Sequence, residues 1–164
     1  MNFFIRDFRQ SDLDGVTRIY QNSFAESPWF ENWSYEDAKL EIESFLRKTN
    51  PQFLVAETKN NLIGFRIAYE LSLEEFSFLD NLVKENEAMY GKELAVKKEN
   101  RGEGVGTSLM LSSFDRARNQ GYKKFFGRTN LKSKMVPLYK KLGYINTGIR
   151  DPAYPERVYF IKEL

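Results

Sequence analysis

Arg101-Gly102-Glu103-Gly104-Val105-Gly106 is the run whose residue types and spacing most plainly suit chemistry, namely the capture of an anion. A strand-like segment over residues 93–97 leads into it. A helical pattern of Val105, Leu109, Met110, Phe114 and Ala117 leads out, so backbone N–H groups converge where a helix dipole is positive. A Cβ at Gly104 or Gly106 would hold a phosphate away from those donors, and Arg101 could add a charge-assisted contact. The same glycines would equally suit a tight strand-to-helix turn that binds nothing. A Walker loop is excluded, because no Lys-Ser or Lys-Thr follows the last glycine. A dinucleotide fingerprint fits poorly, because the spacing is G-x-G-x-G and falls late in the chain, after mostly antiparallel strands.

Other chemistry is bounded by what is missing. The 164 residues contain no Cys and no His. That excludes a disulfide scaffold, a Cys/His zinc site, a Cys nucleophile, a Ser-His-Asp triad and an imidazole base. Proton transfer then falls to carboxylates, tyrosines or a water chain. With 41% hydrophobic and 15% aromatic residues the chain should fold, and its length suits a single domain over 1–164. It lacks the roughly 18 consecutive apolar residues of a membrane span, and residues 1–9 lack the layout of a signal peptide. The expectation is a cytoplasmic protein without a membrane partner. Residues 92–141 carry 13 Lys and Arg against 4 acids, although the whole chain has a net charge of only +2. That segregation reads either as solvated helix faces or as a site for a polyanionic small ligand. A near-neutral whole argues against nucleic acid.

The elements that must position these residues follow from periodicity. Strand-like runs cover residues 3–8, 53–57, 62–71, 93–97, 123–129, 144–149 and 157–161. The second and third flank Thr58, Lys59, Asn60 and Asn61 and should form an antiparallel hairpin. Ser11 with Asp14 opens a helix marked by Leu13, Val16, Tyr20 and Phe24. Ser34 with Asp37 opens another marked by Tyr35, Ala38, Ile42 and Phe45. Residues 133–142 form a short helix stopped by Gly143. Over residues 72–90, Ser72 with Glu75 and then Phe76, Leu79 and Val83 suggest a helical insertion. The fold class is α/β (α+β), with a mixed, largely antiparallel sheet of about seven strands and helices on both faces.

Two elements carry a resemblance. Leu94-Ala95-Val96-Lys97-Lys98-Glu99-Asn100-Arg101-Gly102-Glu103-Gly104-Val105-Gly106 resembles the strand and Arg/Gln-x-x-Gly-x-Gly/Ala signature of the GNAT (Gcn5-related) N-acetyltransferases. Leu138-Tyr139-Lys140-Lys141-Leu142-Gly143-Tyr144 is similar to that family's downstream Leu-Tyr-x-x-x-Gly-Phe/Tyr. The order of elements resembles the family over almost the whole chain.

The resemblance implies transfer of an acetyl group from acetyl-CoA to an amine. The diphosphate would sit on the N–H groups of Gly102, Glu103, Gly104, Val105, Gly106 and Thr107, beside Arg101. The pantetheine would pair with the backbone of Leu94, Ala95 and Val96, at a splay between that strand and the one beginning near Lys123. Tyr139 matches the tyrosine that protonates the departing thiolate in many relatives, though it could be a packed aromatic. Relatives often place an Asn seven residues before that tyrosine. This chain has Lys132 there and Asn130 two residues earlier, so Asn130 is the remaining candidate for that cofactor contact. By the same analogy the amine would enter beside Glu26, Trp29, Phe30, Glu31 and Trp33, where aromatics and carboxylates suit a cation. These residues would equally serve as an aromatic lid on the core.

Energetics limit the mechanism. An alkyl amine of pKa about 10.4 requires about 4.6 kcal/mol for deprotonation at pH 7, so a base or desolvation must help. Glu93, beside the motif strand, is the candidate base, or else a structural glutamate. Without Cys, direct attack in a ternary complex is the remaining simple route. An acyl-CoA-binding regulatory or interaction domain without turnover is the competing function. The expected partners are a small-molecule or peptide amine and, by the default for small enzymes, a second copy of the chain.

Overall fold

The computed structural model describes residues 2–59 and 61–164; Met1 and Asn60, the latter in the expected hairpin loop, lie outside the described residues. In chain order the elements are β1 (Phe4–Asp7), α1 (Leu13–Phe24), α2 (Tyr35–Phe45), β2 (Gln52–Glu57), β3 (Leu62–Glu70), β4 (Ala88–Val96), α3 (Val105–Asn119), β5 (Lys124–Asn130), α4 (Met135–Lys141), β6 (Ile145–Arg150) and β7 (Arg157–Glu163). The strands form one seven-stranded sheet in the order β1-β2-β3-β4-β5-β7-β6. Among the described residues only β4 and β5 pair in parallel. Helices cover both faces, as the sequence predicts.

Alternation along the strands builds two layers of core. Phe65, Ile67 and Tyr69 of β3 join Val16, Tyr20 and Ile42 of α1 and α2 on one face. Ala68 and Met89 join Met110, Phe114 and Tyr139 of α3 and α4 on the other. Helix starts follow side-chain chemistry. Ser34 Oγ accepts the Asp37 N–H at 3.1 Å and caps α2 as expected. At α1 the expected Ser11 cap is corrected: the Asp12 carboxylate accepts the Arg9 N–H at 2.7 Å, because Arg6 fixes that carboxylate at 2.7 Å.

Residues 72–90 are the second correction. They form turns with one 3₁₀ turn over Ser77–Leu79, and β4 already begins at Ala88. The Glu75 and Phe76 N–H groups both bond to the Ser72 carbonyl. Burial of Phe76, Leu79 and Val83 in the α1–α2 core overrides a helical spacing that only those three residues supported. β4 is therefore nearly twice the length anticipated, and its first half is what pairs with β5.

Candidate active site

The site grows from an interrupted ladder. β4 and β5 pair only from Ala88 opposite Lys124 to Gly91 opposite Gly127, then diverge. Beyond Gly91, β4 stays bonded to β3 on its other edge. Apart from the Val96 carbonyl, which accepts from Arg101 Nε, the β5-side backbone groups beyond Gly91 have no strand partner and can pair with an extended ligand, the physics of strand addition. A bulge sits at the divergence, since Ile67 faces Glu93 while Ala68 faces Gly91. The extra residue, Lys92, and its neighbour Glu93 both turn toward α1 and α2. Lys92 Nζ lies 5.6 Å from the Phe45 ring centre and 4.0 Å from Glu93 Oε1.

At the far end of the free edge α3 begins. Gly104 is its N-cap at φ +86°, with no side-chain cap, so first-turn N–H groups face outward without a protein acceptor on the cap residue. Gly102 is also left-handed at φ +82°, and a Cβ at either position would meet open space. The expected reason for Gly106 is corrected here. Its Cβ would point at Leu94, Val96 and Leu138 at 3.7 to 4.0 Å, toward the sheet and not toward an anion. Arg101 is tethered beside the turn, donating through Nε to the Val96 carbonyl at 2.9 Å and through Nη1 to Glu26 at 2.6 Å.

Where the strands part, the two facing glycines are filled from elsewhere. A Cβ on Gly127 would lie 2.3 Å from the Tyr139 hydroxyl, and one on Gly91 would lie 1.9 Å from Arg66 Nη2. Tyr139 comes from α4, stacked on Tyr144 with ring centres 4.5 Å apart. Burial pushes the Tyr139 phenol up to about 12, opposed by the nearby charge of Arg66, so it remains a proton donor at neutral pH.

A cavity of about 1030 Å³ runs through the gap, lined by Tyr139, Met135 and Arg66 from one face and by Tyr20, Glu41 and Glu93 from the other. Desolvation pushes the Glu93 carboxyl up to about 7, with Lys92 and Arg128 opposing, which suits a base near neutral pH. The outer wall holds Trp29, Glu31 and Trp33. Trp33 Nε1 donates to Glu31 at 2.7 Å, and Arg157 donates to Glu31 at 3.2 Å while stacking 4.3 Å from the Tyr154 ring centre. Arg128 donates to Asp151 at 2.6 Å. Burial alone would raise Asp151, but hydrogen bonds from Arg128 and Tyr159 outweigh it and hold the carboxyl down at about 2. A second cavity of about 440 Å³ adjoins through Lys92, Arg128 and Tyr154, and Phe76 and Phe78 of the 72–87 excursion line it.

Thus Tyr139, Glu93, Leu94, Trp29, Glu31 and Trp33 line one space. Ala95 and Val96 continue the free edge, and Gly102, Glu103, Gly104, Val105, Gly106 and Thr107 form the turn and first helical residues. Glu26 and Phe30 lie elsewhere. Glu26 is paired with Arg101, and Phe30 is 74% exposed, because the chain turns left-handed there at φ 50°. Asn130 Oδ1 accepts the Lys132 N–H at 2.9 Å, so that side chain closes the turn after β5 and does not line the cavity. Arg66, Lys92, Arg128 and Arg157 were not anticipated. A signal for Arg66 existed: a single charge inside the apolar strand Leu62–Glu70.

The sequence profile of the acetyltransferase (GNAT) family matches residues 14–144. No curated protein matches this chain. Among solved structures, the PaiA N-acetyltransferase of Thermoplasma acidophilum in complex with coenzyme A is similar at TM-score 0.76 and 18% identity, covering 100% of both chains. The ribosomal-protein-S18-alanine N-acetyltransferase of Escherichia coli is similar at TM-score 0.75 and 15% identity, covering 99% of this chain and 94% of the other. A ribosomal-protein-alanine N-acetyltransferase of Brucella melitensis is similar at TM-score 0.77 and 17% identity, covering 98% and 99%.

Proposed function

Because the chain belongs to the GNAT acetyltransferase family, we propose that it transfers an acetyl group from acetyl-CoA to a primary amine by direct attack in a ternary complex. The residues present fit such a carrier. The start of α3 lacks a side-chain cap, β4 offers a free edge over 92–96, and one cavity joins the two faces where β4 and β5 part. When bound, acetyl-CoA supplies an activated thioester carbonyl.

The chain's residues divide the remaining work by face. The turn from Gly102 to Thr107 holds the diphosphate on main-chain N–H groups, with Arg101 beside it once Glu26 yields. Leu94, Ala95 and Val96 align the pantetheine by backbone pairing. On the opposite face Trp29, Glu31 and Trp33 receive the amine, and Glu93, half-ionised near pH 7, takes its proton. The amine nitrogen bonds to the carbonyl carbon, the C–S bond breaks with its electron pair going to sulfur, and Tyr139 supplies the proton that completes the thiol. A phenol held near 12 donates uphill to a thiolate of ordinary pKa about 8.5, by about 5 kcal/mol, so a further positive charge is needed at the sulfur.

The observation that carries this reading is the continuous cavity through the gap, with Glu93 on one face and Tyr139 on the other. The first test is thermal unfolding with and without acetyl-CoA. Ligand at 100 times Kd should add about 2.7 kcal/mol, roughly 5 to 10 °C for a domain of this size. No shift at millimolar ligand would end the reading. A panel of amines with detection of released thiol then identifies the acceptor class, and binding without release from any amine would favour the non-catalytic domain.

A further inference from the structure

Arg66 lies in β3 between Phe65 and Ile67 and is 1% exposed. Its pairing opposite Leu94 sends it to the α3–α4 face, away from the neighbouring apolar side chains. There it crosses to the space beside Gly91, with its guanidinium 5.4 Å from the Phe125 ring centre. Buried Nε and Nη2 have no hydrogen-bond partner among the described residues, and no carboxylate pairs with the guanidinium. The Tyr144 hydroxyl is buried on the same side, beside Arg66. A guanidinium sequestered from water without an anion is strongly disfavoured, and a cation–π contact offsets only a small part of that. Arg66 is nonetheless among the residues that line the cavity through the gap, and its guanidinium lies against Gly91, where the strands part.

Its position selects the atom it would meet. A carrier anchored by its diphosphate at the start of α3 and paired along β4 beyond Gly91 would span roughly 16 Å of strand before reaching the point where β4 meets β5. That point is bracketed by Arg66 over Gly91 and by the Tyr139 hydroxyl over Gly127, two glycines paired across the ladder. On that path the atom arriving between them would be the thioester sulfur.

We propose that Arg66 is the cation that receives the departing sulfur, its guanidinium at the gap taking up the negative charge as the C–S bond breaks while Tyr139 provides the proton. This rests on the acetyl-CoA reading above. The charged and titratable groups around the same point are Tyr139 and Tyr144 on the α4 side and, from farther off, Glu93 and Arg128. For both tyrosines Arg66 is the foremost charge opposing the rise that burial imposes.

The test compares calorimetric binding of CoA and of desulfo-CoA, which lacks the sulfur, at pH 9, above the ordinary thiol pKa of about 8.5. The unmodified protein should prefer CoA by at least about tenfold, the scale of one charge-assisted hydrogen bond. Arg66→Met and Arg66→Gln should bind desulfo-CoA as before and lose the preference, and Arg66→Lys should keep most of it. Melting temperatures of the unliganded neutral variants should be no lower than that of the parent, because an unpaired buried charge has been removed. A role confined to packing would weaken both ligands together and lower the melting temperature. Either that result, or an unchanged preference in the neutral variants, overturns the proposal while leaving the acetyl-CoA reading intact. Failure of the unmodified protein to bind either nucleotide would overturn both.

Discussion

Gly91 and Gly127 face each other across the last rung of the parallel β4–β5 ladder, and the space beside each is taken by a polar side chain from another element. The pair is where the sheet opens, so any added carbon there acts directly on the site. Gly127→Ala must displace the Tyr139 hydroxyl, which lies 2.3 Å from the new Cβ, and should lower kcat at least tenfold with little change in acetyl-CoA affinity. Steady-state kinetics beside a binding isotherm checks this; equal turnover would mean that the hydroxyl position is unimportant.

Tyr139→Phe removes one oxygen and leaves the stacked ring against Tyr144 and Phe160. Turnover should fall by about 10² while acetyl-CoA affinity stays nearly constant, as expected for loss of a proton donor. Unchanged turnover would remove Tyr139 from the mechanism.

Glu93 gives two signatures of opposite sign. Protonated below about 7, it cannot accept a proton, so kcat/KM should climb as pH rises through 7 and then level. Glu93→Gln should lower the plateau by about 10² and abolish that rise. Stability runs the other way, because a carboxyl raised above its unfolded value near 4.5 is ionised at a disadvantage in the folded chain. What it contributes below pH 4.5 is lost by pH 8, so Glu93→Gln should be more stable than the parent at pH 8, by up to about 3 kcal/mol, and no different at pH 4. Denaturant melts at the two pH values decide this.

Asp151 works on acid stability. Its carboxyl, held down at about 2 by Arg128 and Tyr159, contributes about 2 kcal/mol that is present above pH 4 and lost as pH falls through 2. Asp151→Asn should lose roughly 3 kcal/mol at pH 7, since Arg128 is then left buried without its carboxylate partner. A chemical melt of both proteins between pH 2 and 7 measures it.

Gly104→Val combines a left-handed φ of +86° with a β-branched side chain at the start of α3. Acetyl-CoA affinity should fall by more than tenfold, with a stability loss of about 1 to 2 kcal/mol. Gly104→Asn tolerates that φ and separates strain from obstruction. Normal CoA affinity in the Val variant would refute the proposed cradle.

The pieces of this site that lie in one stretch of chain were legible in the residues themselves. The turn from Arg101 to Gly106 followed from glycine spacing between a strand and a helix, Glu93 from its place beside that strand, and Tyr139 only from the family resemblance of residues 138–144. The absence of His and Cys had already confined acid and base roles to carboxylates, phenols or a water chain. What spacing cannot convey is where two strands stop pairing, because that depends on the bulge at Lys92 and on glycines 36 positions apart in the chain meeting in register. The tertiary structure alone turned Arg66 toward the gap and Glu26 away to Arg101, and it spent Asn130 on its own turn. It also flattened the residues after Ser72 into a wall of the second cavity, since burial of a few large side chains outweighs the helical preference of a short segment. Local covalent geometry and periodicity fix most of the elements, the segment after Ser72 excepted. The direction of a side chain within a sheet, and which charges meet beneath it, is decided by register and packing across the whole fold.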